Sequence, residues 1–267
     1  MATNDKRYYD FHWQQRGGTL AKDPYIAEKI DVLIHCIPED VRVIVDIGCG
    51  DGAITNVLPE KYVAIGVDRS QEVLKHLLAN AAVVSSAECL PFKDGCADLV
   101  LSSELLEHLP DELFLKAISE IKRISSKYVL IAVPNEEKLR KRYTKCNACG
   151  FELHIYCHLR TFSLSKLARY FNGHTIKYFT FCGELEGKSL DIISYLKNKL
   201  ANSYFFVREE SVLCPNCGNV LNFSFKRMFA QRLLSFSLSK LQNIFNLSLN
   251  RKPEPYWLLV LFEKVEE

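Results

Sequence analysis

A short segment with two acids and a histidine carries the first group of reactive side chains. Glu104, Glu107 and His108 stand at positions i, i+3 and i+4. If a helical turn begins at Glu104, these side chains share one face. Two carboxylates and an imidazole on one face are suitable ligands for a divalent cation such as Mg²⁺ or Mn²⁺. Without a cation, His108 is a candidate general base or a group that orients a substrate.

Two Cys-x-x-Cys-Gly segments have the spacing of zinc-ribbon ligands. The glycine after each second cysteine allows backbone N–H groups to turn toward the sulfur atoms. We predict a closed, structural Zn²⁺ site that joins two segments separated by 64 residues. Its predicted ligands are Cys146, Cys149, Cys214 and Cys217.

A local zinc knuckle is the alternative arrangement, but it leaves the second cysteine pair unexplained. Its ligands would be Cys146, Cys149, His154 and either Cys157 or His158. The other cysteines are predicted to be small core residues: Cys36, Cys49, Cys89, Cys96 and Cys182.

A glycine-rich loop follows the first apolar run of the chain. Residues 46–52 read Asp-Ile-Gly-Cys-Gly-Asp-Gly, and glycines at such a turn allow the backbone to approach a ligand closely. Asp68 ends the next apolar run, 16 residues after Gly52. A carboxylate at that position can accept hydrogen bonds from both hydroxyls of a ribose. Together these features predict a binding site for a nucleoside-containing cofactor.

The elements that must position these residues alternate along the first half of the chain. Four apolar runs lack polar alternation, which predicts strands buried on both faces of a parallel sheet. The runs occupy residues 41–46, 62–67, 97–101 and 128–133. Helix-like stretches separate them at 54–58, 71–79 and 112–124. This alternation predicts an α/β, right-handed βαβ sheet with helices on both sides.

The second half of the chain is less regular. A helix is expected over 163–171 with Ser163 as its N-cap, and further strands are expected over 175–181 and 256–265. The segment between those strands is too long for a simple connection. We therefore predict an insertion there that contains its own helices.

With these motifs the sequence resembles the class I S-adenosylmethionine-dependent methyltransferases, in particular those of methyltransferase type 11. The matching stretches are VDIGCGDG (45–52), IGVDRS (65–70), ECLPF (88–92) and ADLVLSSELLEHLPD (97–111). The resemblance implies a Rossmann-like, doubly wound, mostly parallel seven-stranded sheet and S-adenosyl-L-methionine as cofactor. An NAD-dependent dehydrogenase is the competing interpretation of the glycine loop. The D-x-G-x-G-x-G spacing and the later LPF and EHL segments argue against it.

The resemblance also implies which residues contact the cofactor. Asp46 would lie near its amino-acid end, and Asp68 would hold its ribose. The acid that the family usually has two residues before Glu88 is Ser86 here, so adenine recognition would rest on Ser86, on the backbone of Ala87 or on apolar packing. The predicted cofactor-binding residues are Asp46, Gly48, Cys49, Gly50, Asp68, Arg69, Ser86, Ala87, Glu88 and Ser103.

The segment 104–108 also looks like one in small-RNA 3′-terminal 2′-O-methyltransferases and in some quinone-pathway O-methyltransferases. In the RNA enzymes a later histidine joins the metal site, and the best match here is His158, with His154 in reserve. The candidate ligands of a divalent cation are therefore Glu104, Glu107, His108 and His158. The EHL segment is also widespread in methyltransferases that bind no metal. His108, Glu107 and His158 are the predicted catalytic residues, and either histidine can accept the acceptor's proton during in-line methyl transfer.

The charge of the chain is divided unequally between its halves. Residues 1–137 contain 14 basic and 22 acidic residues, whereas residues 138–267 contain 20 basic and 10 acidic ones. The basic, partly apolar region 211–253 contains no acid. It is a candidate for contact with an anionic membrane surface, for contact with phosphates, or for packing on the domain or a second subunit.

Composition excludes an intrinsically disordered chain. The start lacks the apolar core of a signal peptide, and no apolar run has the length of a membrane span. The expected location is therefore cytoplasmic, with peripheral membrane association as an addition.

The domain organisation follows from these assignments. Residues 1–40 are predicted to be a helical and aromatic lid, with Tyr8, Tyr9, Phe11, His12 and Trp13 over the site or against the sheet edge. The methyltransferase core is predicted over 41–137, 159–182 and 254–267. A basic, zinc-linked acceptor module is predicted over 138–158 and 183–253.

The predicted function is methylation of a hydroxyl on a small molecule or glycan. An anionic or lipid-linked acceptor is one form of this hypothesis. A looser resemblance of the first knuckle and the H-x-R-x-F-like stretch to glycan and small-molecule methyltransferases favours this. The alternatives are a metal-dependent RNA O-methyltransferase and a zinc-ribbon binding protein that has lost activity.

Overall fold

The computed structural model describes residues 24–78, 81–205, 212–221, 227–250 and 252–265. The strands are β1 (Val43–Ile47), β2 (Val63–Asp68), β3 (Ala81–Val84), β4 (Ala97–Ser103), β5 (Ser125–Pro134), β6 (Tyr143–Lys145), β7 (Glu152–His154), β8 (His174–Glu186) and β9 (Glu254–Lys264). The helices are α1 (Pro24–His35), α2 (Asp111–Ile124), α3 (Leu164–Tyr170), α4 (Asp191–Lys199) and α5 (Phe229–Ser248). Four short 3₁₀ turns span Thr55–Val57, Val73–His76, Leu106–His108 and Leu139–Arg142.

Seven strands form one sheet in the order β3-β2-β1-β4-β5-β9-β8. The first five strands pair in parallel, and β9 runs antiparallel to both of its neighbours, β5 and β8. The predicted Rossmann-like, mostly parallel seven-stranded sheet is therefore confirmed. The physical basis is burial on both faces, since the central strands carry apolar side chains without alternation.

The core has one layer on each side of this sheet. On one side, Phe114 and Ile121 of α2 pack with Phe162 and Phe171 against the sheet. On the other side, Leu33 of α1 belongs to a second buried cluster with residues of β1, β4, β5 and β9. The two clusters are the two apolar layers that a doubly wound sheet requires.

Two predicted helices of the first half are wrong. Within the described residues of the stretches 54–58 and 71–79, the structure has only the 3₁₀ turns Thr55–Val57 and Val73–His76. Pro59 disfavours the helical conformation of the residue before it, and Leu58 is extended with ψ of 135°. The short strand β3 was not predicted at all.

The second half agrees better with the sequence pattern. Ser163 caps α3, because its hydroxyl accepts a hydrogen bond from the Lys166 N–H. Strand β8 continues to Glu186, beyond the predicted insertion boundary at residue 183. The inserted segment contains α4 and α5, which pack on each other.

Some expectations fall outside the part of the chain that the structure describes. The aromatic cluster of the predicted lid, from Tyr8 to Trp13, lies outside the described residues, so the lid stays a prediction. Among the helices of the described ranges, none is both long enough and apolar enough to cross a bilayer.

Candidate functional site

A cleft of about 480 Å³ opens at the carboxyl ends of the parallel strands. The loops that follow β1, β2, β3 and β4 form one wall, and residues from α1, the segment 142–158, β8 and β9 form the other. Ligands bind at this edge in open α/β sheets, because the loops after neighbouring strands diverge there.

The glycine loop follows β1 and touches both β2 and the turn after β4. Gly48 has φ of +76°, and a Cβ atom there would lie 3.0 Å from a methyl carbon of Leu105. Its N–H donates to the Val67 carbonyl at 2.8 Å. The backbone N–H of Gly50 donates to Asp68 Oδ2 at 3.1 Å. The loop and the acid that ends β2 are thus held together in one wall of the cleft.

The Asp68 carboxylate is oriented by backbone groups. Its second oxygen, Oδ1, accepts a hydrogen bond from the Ser70 N–H at 2.9 Å. Burial raises the pKa of Asp68, although the N–H groups of Ser70 and Gly50 oppose that rise. Asp68 is one of the predicted cofactor-binding residues, and all ten line the cleft.

Asp46 lies deeper in the same wall and is almost completely buried. Its Oδ2 accepts a hydrogen bond from the Thr55 hydroxyl at 2.6 Å. Burial raises the pKa of Asp46 to about 7, despite that hydrogen bond. A buried acid with this pKa changes its charge readily when a cationic ligand arrives.

Two histidines lie close to each other in the cleft. His108 and His158 both line the cleft, and their ring centroids are 4.7 Å apart. The Leu159 N–H donates to the Glu107 carbonyl at 2.8 Å, which joins the two chain segments that carry these histidines. The structure therefore brings together His108 and His158 as the sequence comparison implied.

Glu137 lies behind His158 and was missed by sequence reasoning. One of its oxygens, Oε2, lies 2.5 Å from His158 Nδ1, and the other lies 2.9 Å from Arg142 Nη1 and 3.3 Å from His154 Nε2. Burial alone would raise the pKa of Glu137, but the two histidines outweigh that effect and hold the pKa well below its usual range. Glu137 is therefore a carboxylate that accepts a hydrogen bond from Nδ1 of His158. This leaves Nε2 of His158 as the proton acceptor.

Glu107 lies beside the histidines and is completely buried. Neither carboxylate oxygen accepts a hydrogen bond from another residue within the described ranges. Burial, together with the nearby Glu104 carboxylate, raises the pKa of Glu107 well above its usual value. One oxygen of Glu107 and one nitrogen each of His108 and His158 lie within 4.8 Å of one another, so these three residues have the spacing of metal ligands.

The predicted shared face of Glu104, Glu107 and His108 is wrong. The helical turn begins at Leu106, and Glu104 precedes it with φ of +56°. Its carboxylate points toward α1 instead, with Oε1 3.6 Å from Lys29 Nζ. Lys29 was not predicted as a site residue, because a single lysine in an amphipathic helix carries no local signal.

The four cysteines of the two Cys-x-x-Cys pairs meet outside the cleft. The sulfurs of Cys146 and Cys217 are 3.7 Å apart, those of Cys149 and Cys214 are 3.6 Å apart, and all four lie within 4.8 Å of one another. Tetrahedral coordination with Zn–S bonds of about 2.3 Å requires sulfurs separated by about 3.8 Å. The cluster therefore has the geometry of a four-cysteine zinc site.

The glycines of the two knuckles adopt the conformation that this geometry needs. Gly150 and Gly218 have φ of +73° and +75°. The Asn216 amide and the Phe151 backbone lower the pKa of the exposed Cys149 thiol, which favours a thiolate. His154 and His158 instead face Glu137, so the alternative local knuckle is not formed.

The prediction for the other cysteines is only partly right. Cys36, Cys49 and Cys182 are buried, as expected of small core residues. Cys89 and Cys96 are exposed, because they lie in the loops around β4 rather than in the sheet.

Comparison with known proteins agrees with this geometry. Residues 45–131 match the protein family described as a methyltransferase domain. A solved S-adenosylmethionine-dependent methyltransferase from Archaeoglobus fulgidus is similar in fold, with a TM-score of 0.52, 21% identity, and coverage of 96% of this chain and 99% of that chain. A similar structure from Methanosarcina mazei has a TM-score of 0.50, 18% identity, and coverage of 88% and 98%.

Two relatives are more similar in sequence over shorter stretches. An uncharacterised protein, MJ0638, of Methanocaldococcus jannaschii is 35% identical over 123 residues, 45% of this chain and 53% of that protein. The chloroplastic tocopherol O-methyltransferase of Arabidopsis thaliana is 35% identical over 98 residues, 32% of this chain and 28% of that protein. The chain thus matches about half or less of the length of these curated relatives. Residues 45–131 thus match a methyltransferase domain, and the seven-stranded sheet that contains them has the fold of S-adenosylmethionine-dependent methyltransferases.

Proposed function

We propose that the protein transfers the methyl group of S-adenosylmethionine to a hydroxyl of a small acceptor. The observation that carries this proposal is the shared cleft. The predicted cofactor residues and the paired imidazoles of His108 and His158 line the same cleft. When bound, the cofactor supplies an electrophilic methyl group. An acceptor hydroxyl then needs a base that removes its proton.

His158 is the proposed base and Glu137 its positioning residue. The hydrogen bond from Nδ1 to the Glu137 carboxylate fixes the ring and its tautomer. The negative charge of Glu137 also stabilises the imidazolium that forms when Nε2 takes a proton. The His108 ring lies nearly perpendicular to this ring, with the two centroids 4.7 Å apart.

The charge of the cleft favours an acceptor without phosphate groups. The described lining residues include seven carboxylic acids and three permanent cations. The acids are Asp46, Asp51, Asp68, Glu88, Glu104, Glu184 and Glu186, and the cations are Lys29, Arg69 and Arg142. Arg142 is already paired with Glu137 and Glu186. A polyanion such as RNA would meet repulsion here, which favours a neutral or cationic small molecule or glycan over the RNA alternative.

A methyl-transfer screen tests the proposal directly. Wild-type protein, labelled S-adenosylmethionine and a panel of small hydroxyl compounds, glycans and RNA should give transfer to a hydroxyl compound. With that acceptor we expect His158→Ala and Glu137→Gln to lower kcat by about a hundredfold. The Kd for the cofactor should stay unchanged. His35→Ala, at an exposed position outside the cleft, is the control and should retain full activity.

Two results would contradict the assignment. Transfer only to amines or to RNA would reject the acceptor class. Full activity of both variants would reject the roles of Glu137 and His158. Two measurements distinguish a loss of His158 positioning from a loss of folding in Glu137→Gln. The ¹⁵N chemical shifts of the His158 ring should show a changed tautomer, whereas the far-UV circular dichroism should be unchanged.

The cofactor contacts are proposed from the position of Asp68. Asp68→Ala removes a carboxylate whose hydrogen bonds to a ribose would be charge-assisted, each worth about 1.5–3 kcal/mol. We expect calorimetry to show that affinity for S-adenosylmethionine falls by about tenfold or more. Asp94→Ala, which changes an exposed acid outside the cleft, is the control. Unchanged binding by Asp68→Ala would reject the assignment.

A divalent cation at Glu107, His108 and His158 stays a prediction, supported by the spacing of the three residues. Glu107→Gln distinguishes the two cases. Without a cation, the raised pKa of Glu107 favours its protonated form, so a glutamine of the same shape should preserve activity. With a cation Glu107 must ionise to bind it, so the variant should lose both bound Mn²⁺ or Mg²⁺ and activity.

A structural Zn²⁺ at the four-cysteine cluster is the second cofactor that we propose. The sulfur separations support it. None of the four cysteines lines the cleft, so we assign the zinc no part in methyl transfer. The cytoplasmic location stays a prediction from the sequence.

A further inference from the structure

Helix α5 turns its polar side toward the protein. The inward residues repeat at helical spacing, and each makes a hydrogen bond to the segment around α4. The bonds join Ser235 to the Ser203 hydroxyl, Ser239 to the Lys197 ammonium, Gln242 to the Leu190 N–H and Asn246 to the Lys188 carbonyl, at 2.7–3.1 Å. A rotation of the helix that buried its apolar side would break all four.

The outward side of α5 is apolar and exposed. Of the twenty residues of the helix, only Ser235 is buried. The large side chains on the outer side are between 49% and 81% exposed: Phe229, Leu233, Phe236, Leu241, Ile244 and Leu247. A helix on a protein surface normally has the opposite orientation, with its apolar stripe against the core. An apolar face about 30 Å long is the kind of surface that binds a partner.

The chain segment that contains this face is basic. Residues 211–253 include six basic residues and no acidic one. On the helix itself, Arg232 is exposed, and Lys240 lies with its ammonium 4.7 Å from the centre of the Phe236 ring. Basic side chains of this kind lie along an apolar surface and carry their charge to its edge.

We propose that α5 binds to an anionic lipid bilayer and lies in the plane of its interface. The apolar side chains would enter the acyl boundary, and the basic residues would meet the lipid phosphates. A second copy of the chain is the less favourable occupant. A symmetric contact would place this positively charged surface against itself. An anionic bilayer would both bury the apolar face and attract the basic residues.

The proposed membrane helix is connected to the cleft through α4. The Asn198 side chain of α4 donates to the Arg140 carbonyl at 3.0 Å, and the Arg140 guanidinium lies 5.0 Å from the Tyr195 ring centre. Arg142, two residues later, lines the cleft. The proposal concerns lipid binding alone and stands whether or not the proposed methyl transfer is correct.

Vesicle sedimentation of the full chain tests this proposal. The probes are vesicles of phosphatidylcholine alone and vesicles with about one third phosphatidylglycerol. We expect binding to the anionic vesicles and little to the neutral ones. The double variant F236S/L247S should lower the partition coefficient by about tenfold or more, since both side chains would leave the acyl region. Arg232→Ser with Lys240→Ser should weaken the dependence on phosphatidylglycerol.

A matched control distinguishes the effect of the apolar face of α5 from the effect of surface hydrophobicity in general. Leu78 and Leu115 lie elsewhere and are 84% and 62% exposed, close to 81% for Leu247 and 59% for Phe236. The variant L78S/L115S should bind vesicles like the wild type, and circular dichroism should show that both variants are folded. No binding by the wild type, or equal loss in both variants, would overturn the proposal. A wild-type dimer that F236S/L247S dissociates, without vesicle binding, would overturn it in favour of a second copy.

Discussion

Three buried acids around the cleft differ in protonation because different groups face them. Asp46 has one hydroxyl donor and a pKa of about 7, whereas Glu107 faces another carboxylate and has a strongly raised pKa. Glu137 faces two imidazoles and a guanidinium, so its pKa is well below the usual range. The protonated form is therefore favoured at Glu107 and the charged form at Glu137, while Asp46 is close to half-charged at neutral pH. Burial is common to all three, and the neighbouring groups decide the outcome.

The pKa of Asp46 predicts a proton linkage at the residue scale. A cationic cofactor beside this carboxyl favours its charged form, so binding should lower the pKa below about 7 and release a proton. Affinity for S-adenosylmethionine should therefore rise as the pH increases from about 6 to about 8. At pH 7, calorimetry in two buffers with different ionisation enthalpies should give different heats. Asp46→Asn should reduce that difference, whereas the exposed Asp94→Asn should preserve it. Equal heats for the wild type would show that Asp46 does not titrate on binding.

At the scale of elements, the pairing of β8 with β9 is irregular near the residues with which these strands line the cleft. The register of the two strands shifts between Cys182 and Leu185. Gly183 lies at this shift with φ of +87°, and a Cβ atom there would lie 2.4 Å from the Trp257 ring. Trp257 lines the cleft, and its ring lies 4.6 Å from Lys29 Nζ. The glycine thus allows a tryptophan of β9 to pack beneath the α1 lysine.

Gly183→Ala should be destabilising for two separable reasons. The positive φ costs about 1 kcal/mol for a residue with a Cβ atom, and displacement of the tryptophan adds about 1–3 kcal/mol. Gly173→Ala is the matched control, since Gly173 has φ of +83° with no atom within 4 Å of the added Cβ. Urea unfolding should give a larger loss for Gly183→Ala than for Gly173→Ala. Equal losses would mean that the tryptophan contact is unimportant.

At the scale of the whole molecule, the unequal charge of the two halves corresponds to two surfaces. The cleft has a surplus of carboxyl groups, which suits a cationic sulfonium cofactor. Part of the basic surplus lies on the inserted segment, where α5 is exposed. The four-cysteine cluster joins that segment back to the β6–β7 hairpin beside the cleft.

Zinc binding should therefore stabilise the connection between these parts. We expect about one Zn²⁺ per chain by metal analysis. Cys214→Ser should lose the metal and lower the midpoint of thermal unfolding, because the second cysteine pair would no longer be held against the first. Cys89→Ser changes an exposed cysteine outside the cluster and should keep the metal. Zinc retained by Cys214→Ser would reject the four-cysteine site.

The amino-acid sequence by itself determined the features that depend on local spacing. Continuous apolar runs specify buried parallel strands, and the glycine loop with Asp68 specifies a cofactor edge, because each pattern acts within a few residues. The same local reasoning produced the two wrong helices, where a proline and extended residues ended the turns early. The Cys-x-x-Cys spacing predicted the cysteine cluster even across 64 residues, because thiolate pairs have few other uses.

Only the tertiary structure decided which distant groups meet. Glu137 and His158 are 21 residues apart and form a hydrogen bond through the packing of separate segments. Glu104 forms an ion pair with Lys29 of α1, and no local pattern specifies that partner. The outward apolar face of α5 likewise depends on polar contacts made by α4. Side-chain partners of this kind are set by long-range packing, because the periodicity of a sequence indicates which residues share a face but not what that face meets.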